Sequence, residues 1–409
     1  PGGMWYTPVS GIWQTVWLEA TPIQYIDNLN ISTGLDWVDI QAEGVREGTV
    51  TLDAKAYHLI EGHVRIPIPD PILWSPENPH LYYFTVNSGE DHVKSYFALR
   101  ELSVQSVHGI PRLFLNGKPY FFHGLLDQGY WSDGLYTPPD PESYSRDILA
   151  MKSLGFNTLR KHIKIEPEQF YYDCDRLGMI VFQDMVNCGK YHYIGDTVLP
   201  NLGFQHRNDK NRHRDPELRR NFLAAMEETA RLLHNHPSIC LYTIFNEGWG
   251  QFEADRAYRL LKAIEPTRFI NTTSGWFHQR ESDVHSLHIY FDKLHLSSSE
   301  KPQLITEFGG YSYKIPEHSC NLKKTYGYRK YGDREQFITA LRSLYLNEVL
   351  PLIPKGLCGA IYTQVSDVED ETNGLLTFDR RIQKVESEEF ADVSMQIREH
   401  YLAIDDSGH

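Results

Sequence analysis

Residues 239–250 read ICLYTIFNEGWG, an apolar run that ends in Asn246-Glu247 and is closed by Gly-Trp-Gly. It is too short for a helix and follows a His-Pro pair, so it predicts a buried strand with a carboxylate at its tip. Residues 303–310, QLITEFGG, repeat the design, placing Glu307 at the end of a second apolar run 60 residues after Glu247. That spacing accommodates roughly two strand-helix-strand repeats at about 30 residues each, so the two glutamates fall three strands apart.

The flanking sequence supplies the other strands. PYFFHG reads as strand one, FNTLRKH as strand two, MIVFQDM as strand three and ICLYTIFN as strand four. RFINTT, VHSLHIY, PQLITEF and GLCGAIYT follow as strands five to eight. Helical patterns lie between several of them: PESYSRDILAMKSLG, opened by a proline, then PELRRNFLAAMEETARLLHNH, ADRAYRLLKAIEP and REQFITALRSLYLNEVL. Eight strands in such alternation predict a closed (β/α)8 TIM barrel over residues 108–409. Sites in such barrels form at the C-terminal strand ends, where both glutamates fall, and paired carboxylates facing one cavity suggest glycoside hydrolysis. Residues 188–215, polar and long, are expected to shape the rim.

Upstream, residues 23–107 hold short alternating runs (WVDIQAEG, GTVTLDAKAY, HVRIPIP) separated by turn residues, which predicts an immunoglobulin-like β-sandwich. ILWSPENPHLYYFTV contributes Trp74 and Leu81 as core, and Asn116-Gly117 signals a type I′ hairpin at the barrel floor. Residues 1–22 alternate at Ile12, Gln14, Val16 and Leu18 like a strand, yet the sequence offers no partner for it.

Composition narrows the function classes. A formal charge of −14 and pI near 5.7 disfavour nucleic acid and anionic membranes as partners. No apolar run is long enough to span a bilayer. The five cysteines (Cys174, Cys188, Cys240, Cys320, Cys358) are scattered, which argues against a disulfide framework or zinc knuckle and favours a cytoplasmic location. GxxxxGK[ST], HExxH and GxSxG are all absent. Aromatic residues, 13% of the chain, suit ring stacking on sugars or a large β-rich core equally.

Several side chains join the pair as candidates. Glu247, at the end of an apolar strand, is expected to have a raised pKa suited to a general acid; its plainer reading is a helix N-terminal charge. Arg160, ending strand two, would hold Glu307 ionised. His123, His162 and His288 each end a strand and so approach a sugar, or are structural histidines. Asp184 ends strand three; Asp127, Trp131 and Asp133 follow strand one as hydroxyl contacts, and Trp249 and Trp276 are candidates for stacking. The run QVSDVEDETNGLLTFDRR lacks EF-hand spacing and is read as a solvated acidic face, so no metal and no cofactor are assigned.

FNEGWG around Glu247, ITEFGG around Glu307, FLNGKPYFFHG from Phe114, GFNTLRKH from Gly155, YDCDRLGMIVFQDM from Tyr172 and SGIWQTVWLE from Ser10 together resemble glycoside hydrolase family 2 over nearly the whole chain. The resemblance implies Glu247 as acid/base, Glu307 as nucleophile, Asn246 as partner of the sugar 2-hydroxyl, and Tyr290 as hydrogen-bond donor to the nucleophile, where a core tyrosine is the alternative. It also implies that residues 1–22 end an N-terminal jelly-roll domain. Where many members carry a tryptophan near the end of strand eight, this chain has Tyr362, Thr363 and Gln364, and the Asn-x-Lys pair of glucuronate recognition is absent. The expected function is retaining exo-hydrolysis of terminal β-linked sugars from an oligosaccharide or glycoside, foremost by a β-galactosidase. β-Glucuronidase, β-mannosidase and a non-catalytic sugar-binding fragment are the alternatives, and a homo-oligomer fits the family.

Overall fold

The computed structural model describes residues 2–406. Seven strands, Asn28–Thr33, Trp37–Glu43, Glu47–Leu52, Lys55–Ile60, His63–Pro67, Tyr82–Ser88 and Asp91–Phe97, pair antiparallel in the order 1-2-5-4-3-6-7. Their period-two pattern turns one face inward: Val38 lies opposite Ile66 and Val50 opposite Val86, and these side chains form the core of the sandwich. Trp74 belongs to a different cluster. Its indole Nε1 donates to the Asp175 carbonyl at 2.8 Å, and it packs with Leu113, Leu115 and Phe122, so it plugs the sandwich into the floor of the next domain.

Leu102–Val107, Ile110–Leu115 and Lys118–Pro119 form an antiparallel meander beneath that floor. Asn116 and Gly117 adopt φ of 53° and 75°, the positive pair that a type I′ turn requires. Eight parallel strands follow: β1 Phe122–Asp127, β2 Thr158–Lys161, β3 Ile180–Asp184, β4 Ile239–Asn246, β5 Phe269–Ser274, β6 His285–Ile289, β7 Gln303–Gly309 and β8 Leu357–Thr363. They are hydrogen-bonded in the order 5-4-3-2-1-8-7-6, and β5 stands beside β6 to complete the ring. At that seam the Ser286 hydroxyl bridges to the Thr273 carbonyl and the Asn271 side chain, 3.1 and 3.0 Å away. Phe122, Leu126, Phe182, Leu241, Leu304 and Ile361 fill the bore, so the barrel is a packed core open only at its top.

The helices α1 Glu142–Ser153, α2 Glu168–Leu177, α3 Pro216–Leu232, α4 Ala254–Ile264, α5 Arg334–Leu344 and α6 Ser387–Asp406 surround the strands. At α3 the Asp215 carboxylate caps the backbone N–H of Glu217 at 2.9 Å, with Pro216 in the first turn, as the sequence pattern predicts. Helices α2 and α6 arise where that pattern predicts none. Pro167 precedes α2 and Gly178, at φ 74°, ends it, a start and stop obscured by the polar run YYDCDR.

Strand one is corrected by three residues: it covers Phe122–Asp127, because Pro119 still pairs with the floor hairpin. Residues 8–27 form no strand, and Ile12, Val16 and Leu18 are exposed along them. Among the described residues no helix is long and apolar enough to cross a membrane.

Candidate active site

Strand β4 delivers Asn246 and Glu247 to the top of the bore, and the chain then turns sharply. Glu247 adopts φ 54°, uncommon for a side chain of its size, and its N–H bonds the Ser274 carbonyl of β5 at 2.9 Å. The glycines that follow are dictated by space. A Cβ on Gly248 would come within 2.3 Å of the Phe277 ring, and one on Gly250 within 2.2 Å of the Cys188 carbonyl oxygen. Gly250 also sits at φ 71°. Gly250→Ala is therefore expected to lower stability by about 2–4 kcal/mol, from left-handed strain and overpacking together. Urea denaturation checks this, and an unchanged unfolding midpoint would refute it.

Across the bore, β7 carries Glu307. One carboxylate oxygen from each glutamate and a ring nitrogen of His288 lie within 4.8 Å of one another. Each oxygen of Glu307 meets a donor: Arg160 Nη1 at 2.9 Å on Oε1 and the Tyr290 hydroxyl at 2.6 Å on Oε2. Tyr290 is braced in turn, stacked on Tyr328 with centroids 3.8 Å apart and bonded to the Thr363 hydroxyl at 2.9 Å. Burial, then the Glu307 charge, raises the Tyr290 pKa well above the ordinary phenol value, so it stays a proton donor.

Arg160 is the hub. Wholly buried, it forms a two-pronged bond to Asp184 at 3.0 and 2.9 Å, reaches Glu307, and donates through Nη2 to the Asn246 side-chain oxygen at 2.8 Å. Burial opposes its charge, but Asp184 and Glu307 outweigh that, and its pKa is raised. The bond to Asn246 fixes the amide so that Nδ2 has no protein partner. His162 contacts Asp184 through Nδ1 at 3.0 Å, on the same wall.

His288 sits between the two glutamates, with Nδ1 2.8 Å from Glu247 Oε1 and 3.5 Å from Glu307 Oε2. Burial pushes its pKa down to about 3, so the ring is neutral and carries one proton. Arginine can only donate, and Arg160 Nη1 approaches Nε2 at 3.4 Å, as does the Ser274 hydroxyl at 2.9 Å. Nε2 is therefore the acceptor, and Nδ1 donates to Glu247 Oε1. The other oxygen, Glu247 Oε2, meets no donor among the described residues. Burial raises the Glu247 pKa to about 7, and the nearby His162 and Arg160 only moderate the effect.

The structure thus brings Asn246, Glu247, Glu307, Arg160, Tyr290, His162, Asp184 and His288 together. Five candidates, His123, Asp127, Trp131, Asp133 and Trp276, are corrected. His123 and Asp127 lie on β1 at the parity that faces away from the bore. The His123 ring packs among Phe156, Tyr345 and Phe390 in the helix layer. Asp127 pairs with Lys161, itself turned outward over the Phe170 ring, at 2.7 Å. Trp131 likewise packs on Tyr144 beneath Arg380, and Asp133 bonds only Ser132.

Trp276 is too deeply buried to offer a face to a sugar. Its N–H points at the carbonyls of Glu247 and Asp196, so it braces the turn that carries Glu247. Trp249 is partly exposed and forms an aromatic cluster with Trp5 and Tyr191 at centroid distances of 5.8 and 5.6 Å. Residues 188–215 do reach this side of the bore, where Arg207 pairs with Asp196 at 2.8 Å and covers the Phe277 ring.

The acidic run after β8 is a further correction, for it is folded inward rather than solvated. Asp367 accepts from Lys384 at 2.6 Å, Asp370 from Asn321 at 2.7 Å, and Glu371 from Gln364 at 2.7 Å and from the Tyr6 hydroxyl. Glu371, Tyr328 and Tyr6 are side chains around the pair that sequence reasoning missed, and Thr363 and Gln364, noted at the end of strand eight, were given no role there.

Among the described residues, Glu247, His288 and Glu307 are the group spaced to hold a cation. Here a guanidinium already faces Glu307 and the His288 nitrogen nearest Glu247 carries a proton, so this arrangement is that of an ion-paired carboxylate site.

Comparison with known proteins bears on the fold and the family. Residues 107–313 match the family model "Glycosyl hydrolases family 2, TIM barrel domain", and residues 25–100 match "Glycosyl hydrolases family 2". A β-galactosidase of Enterobacter cloacae is 29% identical over 230 residues, 54% of this chain and 20% of that protein. A β-glucuronidase of Chlorocebus aethiops is 25% identical over 342 residues, 73% of this chain and 48% of that protein. This chain thus spans at most about half the length of these curated relatives. Among solved structures, a β-D-glucuronidase of Dictyoglomus thermophilum superposes with a TM-score of 0.68 at 16% identity, covering 93% of this chain and 69% of that one. A β-galacturonidase of Eisenbergiella tayi bound to galacturonate gives 0.61 at 18% identity, covering 91% and 72%. With its barrel model matched across half of the sequence and its sandwich model across the domain before it, the chain belongs to glycosyl hydrolase family 2.

Proposed function

We propose that this chain hydrolyses terminal β-linked sugars with retention of anomeric configuration, a β-galactoside being the first substrate to try. The observation that carries the reading is the approach of the Glu247 and Glu307 carboxylates to within 4.8 Å. Retaining glycosidases place their carboxyl groups about 5–5.5 Å apart, whereas inverting ones leave about 6.5–9.5 Å for a water. Glu307, its oxygens held by Arg160 and Tyr290, attacks the anomeric carbon. Glu247 gives the proton on Oε2 to the departing oxygen while His288 occupies Oε1. A glycosyl ester to Glu307 forms and the aglycone leaves. Glu247, now ionised, takes a proton from water, which opens the ester and restores both carboxyl groups. Asn246 Nδ2 is available to the sugar 2-hydroxyl. The choice of galactoside rests on relatives that bear that name.

A panel of aryl β-galactoside, β-glucoside, β-mannoside and β-glucuronide tests this, with the first-formed anomer followed by NMR. The β anomer should appear first. Because burial raises Glu247 to about 7, it loses its proton, and with it general-acid function, as the pH rises through that value. kcat/KM should accordingly fall about tenfold per pH unit on the alkaline side. An α-configured first product would refute retention, and sugar binding without turnover would favour a binding module.

A further inference from the structure

The acidic loop after β8 brings a further carboxylate, Glu371, to the candidate site, one the double-displacement scheme does not use. Gln364 directly follows Thr363, whose hydroxyl meets Tyr290, and the Gln364 amide donates 2.7 Å to Glu371 Oε2. The Tyr6 hydroxyl donates to the same oxygen. Glu371 is 4% exposed, yet among the described residues no donor meets its Oε1. Gln364 Oε1 and Asn373 Nδ2, both buried in the same place, are also without partners. Two buried orphans are costly in a folded interior, and the unpartnered Glu371 Oε1 beside them keeps some exposure. They cluster beside the pair: Glu371 feels the charges of Glu307 and His162, and the Tyr328 hydroxyl those of Glu247, Glu307 and Glu371.

We propose that Glu371 is a specificity-determining residue, which accepts a hydrogen bond from a hydroxyl of the sugar held between Glu247 and Glu307 and so selects neutral glycosides over uronides. The inference rests on the hydrolase reading above. A carboxylate with one oxygen left without a donor, in a water-poor site, rewards a hydroxyl and penalises a second carboxylate. Among the described residues of this wall the one guanidinium, Arg160, is already engaged with Asp184, Glu307 and Asn246. Tyr6, from the far end of the sequence, holds the carboxylate in place.

The test measures kcat/KM for 4-nitrophenyl β-galactoside, β-glucoside, β-mannoside, β-glucuronide and β-galacturonide, using the full chain and its Glu371→Gln variant. The best neutral substrate should exceed both uronides by about 100-fold, the loss set by one charge-assisted bond replaced with one repulsion. Glu371→Gln should narrow that ratio at least about tenfold, chiefly by weakening neutral substrates. Equilibrium titration with galactono-1,5-lactone and glucaro-1,4-lactone gives a second readout that needs no turnover. Tighter neutral binding by the unaltered chain, even without catalysis, would support the proposal while overturning the hydrolase reading. Equal or tighter binding of the acid, preferential turnover of a uronide, or no binding of either lactone would overturn the proposal. Tyr6→Phe, which leaves the carboxylate and removes one of its donors, should shift the neutral-to-uronide ratio in a chain whose folding does not depend on altering Glu371; no shift in either variant also overturns it.

Discussion

Glu307→Ala is expected to lower kcat on aryl β-glycosides by on the order of 10⁴-fold or more, since it removes the carboxylate that forms the glycosyl ester in the proposed mechanism. The loss alone would not separate a nucleophile from a positioning residue, but azide does. With the Glu307 carboxyl gone, azide can occupy its place and attack the anomeric carbon from the same face, giving the inverted, α-configured glycosyl azide from an activated β-substrate. In Glu247→Ala the ester still forms on Glu307, and azide replaces water in the second step, giving the β-azide. NMR of the two products checks the assignment, and exchanged stereochemistries would reverse the roles of the two glutamates.

The second large effect is expected at Arg160. Removing a buried partner from two carboxylates leaves both uncompensated, so Arg160→Ala should cost about 3–5 kcal/mol of stability as well as turnover. Arg160→Lys is the more informative change. A lysine keeps the positive charge but cannot bridge Asp184, Glu307 and Asn246 in one plane. Most of the stability should return while kcat stays depressed, because Asn246 is no longer oriented. Thermal melts and steady-state kinetics on the two variants distinguish these outcomes; full activity in Arg160→Lys would show that charge alone matters.

The fold was legible because each barrel strand is a short apolar run punctuated by a polar tip. The two tips ending in glutamate mark the proposed site, and the same rule of strand ends picks out Arg160, Asp184 and His288, which the structure gathers around the pair. The rule failed at β1, where parity decides direction: Phe122 and Leu126 face the bore, so His123 and Asp127 cannot. Nor could it recognise the acidic loop. Asp367, Asp370 and Glu371 look like a solvated run until Lys384, Asn321, Gln364 and Tyr6 are seen against them, and a reading of local charge contains no information about such distant partners. The role of His288 was hidden for a related reason. Its function follows from which nitrogen carries the proton, and that is set by Arg160 on another strand.

The contacts of residues 3–7 with the loop after β8 bear on how this site can change over generations. Gly3 bonds Asp370, Tyr6 bonds Glu371 and Thr7 bonds Glu369 across about 365 positions of sequence. A substitution at Glu369, Asp370 or Glu371 alone removes the acceptor of a donor on residues 3–7, so changes in the two segments are coupled. Drift at either end is thereby restrained, and a laboratory library that diversifies both segments at once would reach variants that one randomising only the loop would discard.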